Sequence, residues 1–162
     1  MASDDLDNVD KGILYLLQQN ARTNTTSNIA EKVGVSSSTV GNRIQKLEEN
    51  GVISGYQPTV NYERAGLDHH LLAIGTVPHE QRETLGKRIL EVSGVVGVRE
   101  LLTNQENVAI ELVGSTRGHI ESAVDELNEL GVTIERIEMM KRERTKPFDD
   151  FGKEYTTGGD TG

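Results

Sequence analysis

The chain has 162 residues, enough for one ordinary domain or two small ones, with 35% apolar and 4% aromatic residues and no Trp. Its 17 basic residues against 26 acidic ones leave a formal net charge of −9, which disfavours non-specific adhesion to nucleic acid, and the scarcity of aromatics argues against a stacking platform for single strands. The absence of Cys excludes disulfide frames, thiolate metal sites, iron–sulfur clusters and thiol nucleophiles.

The N-terminus is acidic and lacks an apolar signal core, and no apolar run approaches the ~18 residues needed to span a bilayer. A cytoplasmic protein is expected.

Three helices are predicted first. Leu6, Val9, Ile13, Leu16 and Leu17 recur at helical spacing, and Asp7 with Asp10 resembles a capping box that starts the first helix. Thr25 suits the cap of a second, short helix that buries Ile29, Ala30 and Val33. Gly34 supplies a position where positive φ is cheap. Ser36 then caps a third helix with Val40, Ile44 and Leu47 as its buried stripe, and Gly51 ends it. Val52 to Val60 reads as a strand, a tight turn at Ser54-Gly55 and a second extended piece containing Pro58, which together predict a hairpin wing.

The remainder alternates. His69 to Val77 is strand-like, Glu80 to Glu91 helical, Val95 to Thr103 a strand, Val108 to Val113 a strand, Thr116 to Leu130 a helix stopped by Gly131, and Val132 to Met139 a strand. The order is βαββαβ, the ferredoxin-like arrangement. The fold class is therefore α+β, an N-terminal winged helix-turn-helix plus a C-terminal ferredoxin-like domain. Residues 1–54 form the first domain, 55–66 a linker strand, 67–146 the second domain, and 147–162 a flexible tail. Phe148, Phe151 and Tyr155 in that tail are candidates to dock on a partner.

Two short helices around Gly34-Val35-Ser36 suit a helix-turn-helix. At about 100° per residue, Val40, Ile44 and Leu47 share one face of the third helix while Ser38, Asn42 and Gln45 point away. Small hydrogen-bonding side chains near a helix N-terminus are what reading base edges in a major groove requires. The candidate DNA-binding residues are Arg22, Lys32, Ser36, Ser37, Ser38, Thr39, Asn42, Arg43, Gln45 and Lys46. Arg43 lies beside the core stripe, placed either to reach a phosphate or to brace the fold. Charge agrees locally: residues 20–47 hold four basic residues against Glu31 alone, whereas residues 61–162 hold 12 basic and 19 acidic ones.

The stretch from Leu6 to Gly66 resembles the winged helix-turn-helix of the Lrp/AsnC (feast/famine) regulators. The matching residues are Leu6-Asp7, Asp10, Ile13-Leu14, Leu17, Ala21-Arg22, Ile29-Ala30, Val33-Gly34, Ser36, Val40, Arg43-Ile44, Leu47-Glu48, Gly51-Val52-Ile53, Gly55-Tyr56 and Gly66. The stretch between Arg22 and Ile29 is one residue longer than that family's usual spacing. The second half follows the family's ligand-binding and assembly domain. The resemblance implies a regulator that binds double-stranded DNA as a homodimer or octamer, without a cofactor and without enzymatic activity.

It also implies an effector site, often for amino acids, at the turn between the second and third strands. Here that turn comprises Leu102, Thr103, Asn104, Gln105, Glu106 and Asn107. Asn104 and Asn107 replace the Gly and Asp of the usual pattern. Independently, the 69–77 strand carries apolar residues on both faces, and two helices cover only one face of such a sheet, so a second copy is expected on the other.

Other signals are weaker. His69 and His70 are adjacent and so fall on opposite faces of a strand, which does not suit a shared metal. The run Lys141-Arg142-Glu143-Arg144-Thr145-Lys146 reads as a solvated strand end. An enzyme related to the sirohaem decarboxylases, with the same order of elements, and an architectural DNA coater without a ligand are the alternatives. The acidic excess, with 7 Lys against 10 Arg, suggests a salt-loving, haloarchaeal-type source.

Overall fold

The computed structural model describes residues 5–156. The chain divides into two compact units, one comprising the chain up to Pro58 together with Arg144 onward, the other Thr59–Glu143.

The first unit begins with α1 (Asn8–Gln19), α2 (Thr26–Val33) and α3 (Ser37–Glu49). Each start is made by side-chain chemistry. Asp7 accepts from the Asp10 N–H while the Asp10 carboxylate accepts from the Asp7 N–H, a complete capping box. Thr25 accepts from the Asn28 N–H and Ser36 from the Thr39 N–H, each satisfying a donor that the helix leaves unpaired. Between α2 and α3 the chain turns at Gly34, whose φ of 78° is left-handed and strained for any residue with a Cβ. The helices close on Ile13, Leu14, Leu16, Ile29, Ala30, Val40 and Leu47, with Val33, Ile44 and Ile53 at the margin.

Two stretches differ from the sequence reading. The expected hairpin at Val52–Val60 does not form a strand pair: among the described residues no β-strand lies between α3 and His69. Ile53 is held by its N–H to the Leu47 carbonyl at 3.0 Å, whereas Val52, Tyr56 and Val60 are exposed. Strands need a partner's donors and acceptors, and Pro58 contributes no donor.

The tail, expected to be flexible, carries local structure where it is described. Asp149–Phe151 and Lys153–Tyr155 each form a 3₁₀ turn, and Phe151 joins the margin of the helical core of its own chain. A pair of aromatics gives this segment more apolar surface to bury than its polar composition suggests. Residues 157–162 of that tail, like residues 1–4, lie outside the described residues.

The second unit contains β1 (His69–Thr76), α4 (Arg82–Ile89), β2 (Val95–Glu100), β3 (Val108–Gly114), α5 (Arg117–Leu130) and β4 (Thr133–Met139). The sheet runs β2-β3-β1-β4 with every pairing antiparallel, the ferredoxin-like order. Thr116 caps α5, and Gly131, with φ of 104°, stops it.

One sheet face meets the helices through Leu71, Ala73, Ile110 and Leu112 against Leu85, Ile89, Ile120 and Leu127. By alternation the opposite face carries Leu72, Ile74, Ala109 and Val113. Polar groups share that face: His70 Nε2 pairs with Glu111, and the Tyr62 ring meets His70 edge-on at 5.1 Å. It is more mixed than a purely apolar surface.

Candidate nucleic-acid interface

α3 is seated by the burial of Val40 and Leu47, and this aims its other face outward. Ser37, Ser38, Asn42, Gln45 and Lys46 are all exposed there. The turn–helix geometry is set locally, by Gly34 and by the Ser36 cap, so the direction of this exposed face depends on two positions separated by one residue.

The candidate residues divide by what already holds them. Ser36 is committed to capping, and its hydroxyl also meets Thr39 Oγ1 at 2.8 Å and Ser38 Oγ at 3.2 Å. Thr39 is half-buried. Gln45 Nε2 donates to Glu49 Oε1 at 2.9 Å, which engages one of its two amide N–H groups. Lys32 Nζ lies 3.4 Å from Asn24 Oδ1, beside the turn between α1 and α2. Arg22 is exposed in that turn, where its backbone N–H and that of Thr23 both donate to Asn20 Oδ1.

Arg43 differs from the expected DNA contact. Its Nη1 donates to Asp7 and, at 3.2 Å, to Asp10, the two carboxylates of the α1 capping box. The Asp10 N–H and the Arg43 guanidinium hold the Asp7 carboxyl below the usual carboxylate range. Arg43 therefore ties the middle of α3 to the first turn of α1. Of the two roles that the sequence leaves open for Arg43, a phosphate contact or a brace, these ion pairs supply the brace. The pairing was not evident from α1 alone, where both acids are accounted for by the cap.

The turn expected to hold an effector is also partly committed. Asn107 is fully buried, its Nδ2 donating to the Val77 carbonyl at 2.8 Å and its Oδ1 accepting from the Val77 N–H at 2.9 Å. It is a brace between the end of β1 and the start of β3, not a group facing a ligand. Both polar atoms of its amide are used, which corrects its place among the effector contacts.

Glu106, at φ of 50°, donates its N–H to Thr76 Oγ1 at 2.8 Å, and its carboxylate pairs with Arg136. Arg136 also lies 3.5 Å from Glu138. The sequence reading missed Arg136, which reaches the turn from β4. Leu102, Thr103, Asn104 and Gln105 are exposed, Leu102 almost completely at 99%. Among the described residues no group of three or more His, Asp or Glu is placed to hold a metal, and no helix is long and apolar enough to cross a membrane.

Comparison with known proteins agrees with this geometry. A winged helix-turn-helix DNA-binding family model matches residues 6–54. An HTH-type transcriptional regulator of Pyrococcus furiosus is 32% identical over 127 residues, covering 77% of this chain and 84% of that protein. The regulator LrpA of Pyrococcus horikoshii is 43% identical over 61 residues, 38% of this chain and 43% of its own. With an HTH-type regulator of Pyrococcus abyssi the identity is 37% over 91 residues, and the match spans only 56% of that relative's length.

The fold is similar to that of a transcriptional regulator from Neisseria meningitidis solved in complex with L-Met. The TM-score is 0.71 at 20% identity, over 88% of this chain and 94% of the other.

Proposed function

We propose that the chain, which belongs to the HTH-type transcriptional regulators, is an Lrp-type member that regulates transcription by binding duplex DNA with sequence preference as a dimer or larger assembly. One observation carries the reading: α3 exposes hydroxyl, amide and ammonium groups on the face opposite its buried stripe. The curated relatives are named as transcriptional regulators, which favours this reading over a decarboxylase-like enzyme or a purely architectural coater.

Asn42 is exposed while Gln45 is engaged by Glu49, so the two are expected to contribute unequally. Asn42→Ala is expected to lower discrimination between the selected site and its single-base variants by ~1–3 kcal/mol for a lost bidentate contact, with Gln45→Ala costing less. Selection of bound sequences from random duplexes, followed by titration of each variant, checks this. Unchanged preference in both variants rejects the assignment of the reading face.

The same titrations, repeated at rising salt, test the reading of the acidic balance as an adaptation to concentrated salt. A shallow slope supports it and a steep loss of affinity opposes it, because phosphate contacts release counterions and weaken as salt rises.

The sheet face carrying Leu72, Ile74, Ala109 and Val113 is the surface we assign to a second copy of the chain; Leu72 is the one of the four that is not already buried within this chain. A dimer would present two reading helices to half-sites about one helical turn apart. A small effector at residues 102–106 is the regulatory part of the reading, supported by the L-Met complex of the Neisseria regulator. Such a ligand would meet the Glu106–Arg136 pair in place of the free carboxylate that an ammonium group prefers. Amino acids are therefore expected to raise the melting temperature of the protein little; a rise of several degrees with any one of them would restore an amino-acid site.

A further inference from the structure

We propose that the C-terminal segment is a strap that fastens the DNA-reading unit to the rest of the chain at a second point. The chain leaves the first unit after Pro58 and re-enters it at Arg144, so the units share two covalent connections. The returning segment is seated by specific contacts. Phe148 and Phe151 meet edge-to-face with ring centres 5.0 Å apart, and Phe151 joins the core margin of the three helices. Lys146 Nζ pairs with Asp149 Oδ2 at 2.8 Å at the entry to the first 3₁₀ turn.

Two glycines make the close approach. Gly152 is buried with φ of 132°, and a Cβ there would lie 2.5 Å from Tyr155 Cδ2 and 3.3 Å from the Gly12 backbone N. Gly12 sits inside α1, where glycine costs roughly 1 kcal/mol of helix propensity against Ala. A Cβ at Gly12 would meet Val33 Cγ1 at 2.9 Å and the Tyr155 carbonyl at 3.5 Å. That cost is offset where a second backbone must pass close to the helix. The contacts fall on α1, while Ser38 and Asn42 remain exposed, so the strap leaves the reading face open.

The consequence concerns geometry between two half-sites. A unit hung from one flexible connection samples many orientations, and a second connection removes most of them. In the dimer proposed above, on which this consequence rests, the strap restricts the half-site spacings that both reading helices meet at once. Two variants undo it by different routes. Gly152→Val blocks the seat, because its φ and its contacts both exclude a branched side chain. A chain ending at Glu143 removes the strap.

Two measurements on the full-length protein and both variants test the proposal. In the first, hydrogen exchange of the α1 amides is expected to accelerate about tenfold in both variants if docking contributes to local stability. Equal exchange in all three proteins overturns the strap whether or not DNA is bound. In the second, duplexes carry the selected half-sites at the preferred spacing or shifted by half a turn, about 5 bp. The intact protein is expected to prefer the first by about tenfold or more, and the variants by less than about threefold, with single half-site affinity unchanged.

Retained discrimination in both variants overturns the proposal. An intact protein that ignores every duplex refutes the DNA-binding reading instead, and leaves the exchange measurement to decide the docking.

Discussion

Asn107→Leu is expected to lower the unfolding free energy of the sheet unit by about 3 kcal/mol or more, as two buried backbone groups lose their partners at roughly 1–3 kcal/mol each. The Asn107 amide satisfies both the N–H and the carbonyl of Val77, and both residues are sealed from solvent. Leucine keeps the number and branching of the side-chain heavy atoms, though it is bulkier, and supplies neither hydrogen bond.

Asn107→Asp separates the two roles. Its carboxylate still accepts from the Val77 N–H, but it places an anion against the Val77 carbonyl in a buried site. Burial and the facing carbonyl raise the folded-state pKa of that aspartate above its unfolded value, outweighing the single N–H that favours the anion. Protonation is then favoured in the folded state, so the contribution to stability is full at low pH and lost as pH rises through the raised pKa. The Asp variant is therefore expected to be weaker than wild type at pH 7 and to recover part of the deficit at pH 5. Urea unfolding at both pH values checks this. A Leu variant as stable as wild type would mean that water or a rearranged strand end satisfies Val77 instead. Asp is also the residue that the usual effector-site pattern carries here, and in this chain it would weaken the brace before offering a ligand anything.

The second large effect is expected in the helical unit. Ile13 is 0% exposed at the centre of a small core. Truncating it to Ala is expected to cost about 2–5 kcal/mol, transfer and cavity costs together. A domain that size has little stability in reserve. Duplex binding is expected to disappear at temperatures where the intact protein binds, while sedimentation still reports the wild-type assembly, because the sheet unit has its own core.

Leu127→Ala, fully buried in that other core, should show the reverse order, with assembly affected first. Scanning calorimetry and sedimentation of the two variants together test the division. If both variants lose binding and assembly in one transition, the two cores act as one.

Much of the backbone was legible because its signals are local. The Asp7–Asp10 box, the Thr25 and Ser36 caps, and the stops at Gly34 and Gly131 each depend on atoms within a few positions. The βαββαβ order followed from periodicity for the same reason. What was missed, or in the case of Arg43 left open between a phosphate contact and a brace, depends on closure in space. Arg43 reaches acids more than thirty positions away, Asn107 reaches Val77 across thirty, and Arg136 meets Glu106 across the same separation. A turn of polar residues looks alike in sequence whether its amide faces solvent or is fully bonded within the fold.

The tail misled for a related reason. Its composition is polar, and the ring that anchors it, Phe151, finds its seat on the helices at the opposite end of the sequence. The wing misled in the other direction: residues with strand propensity found no strand beside them.

Asp7 and Asp10 do double duty, starting one helix and restraining another through a single guanidinium. Surveys that rank positions by their distance from bound nucleic acid will undercount both. A lesion in that cap would surface as a displaced α3 whose own exposed residues are all intact.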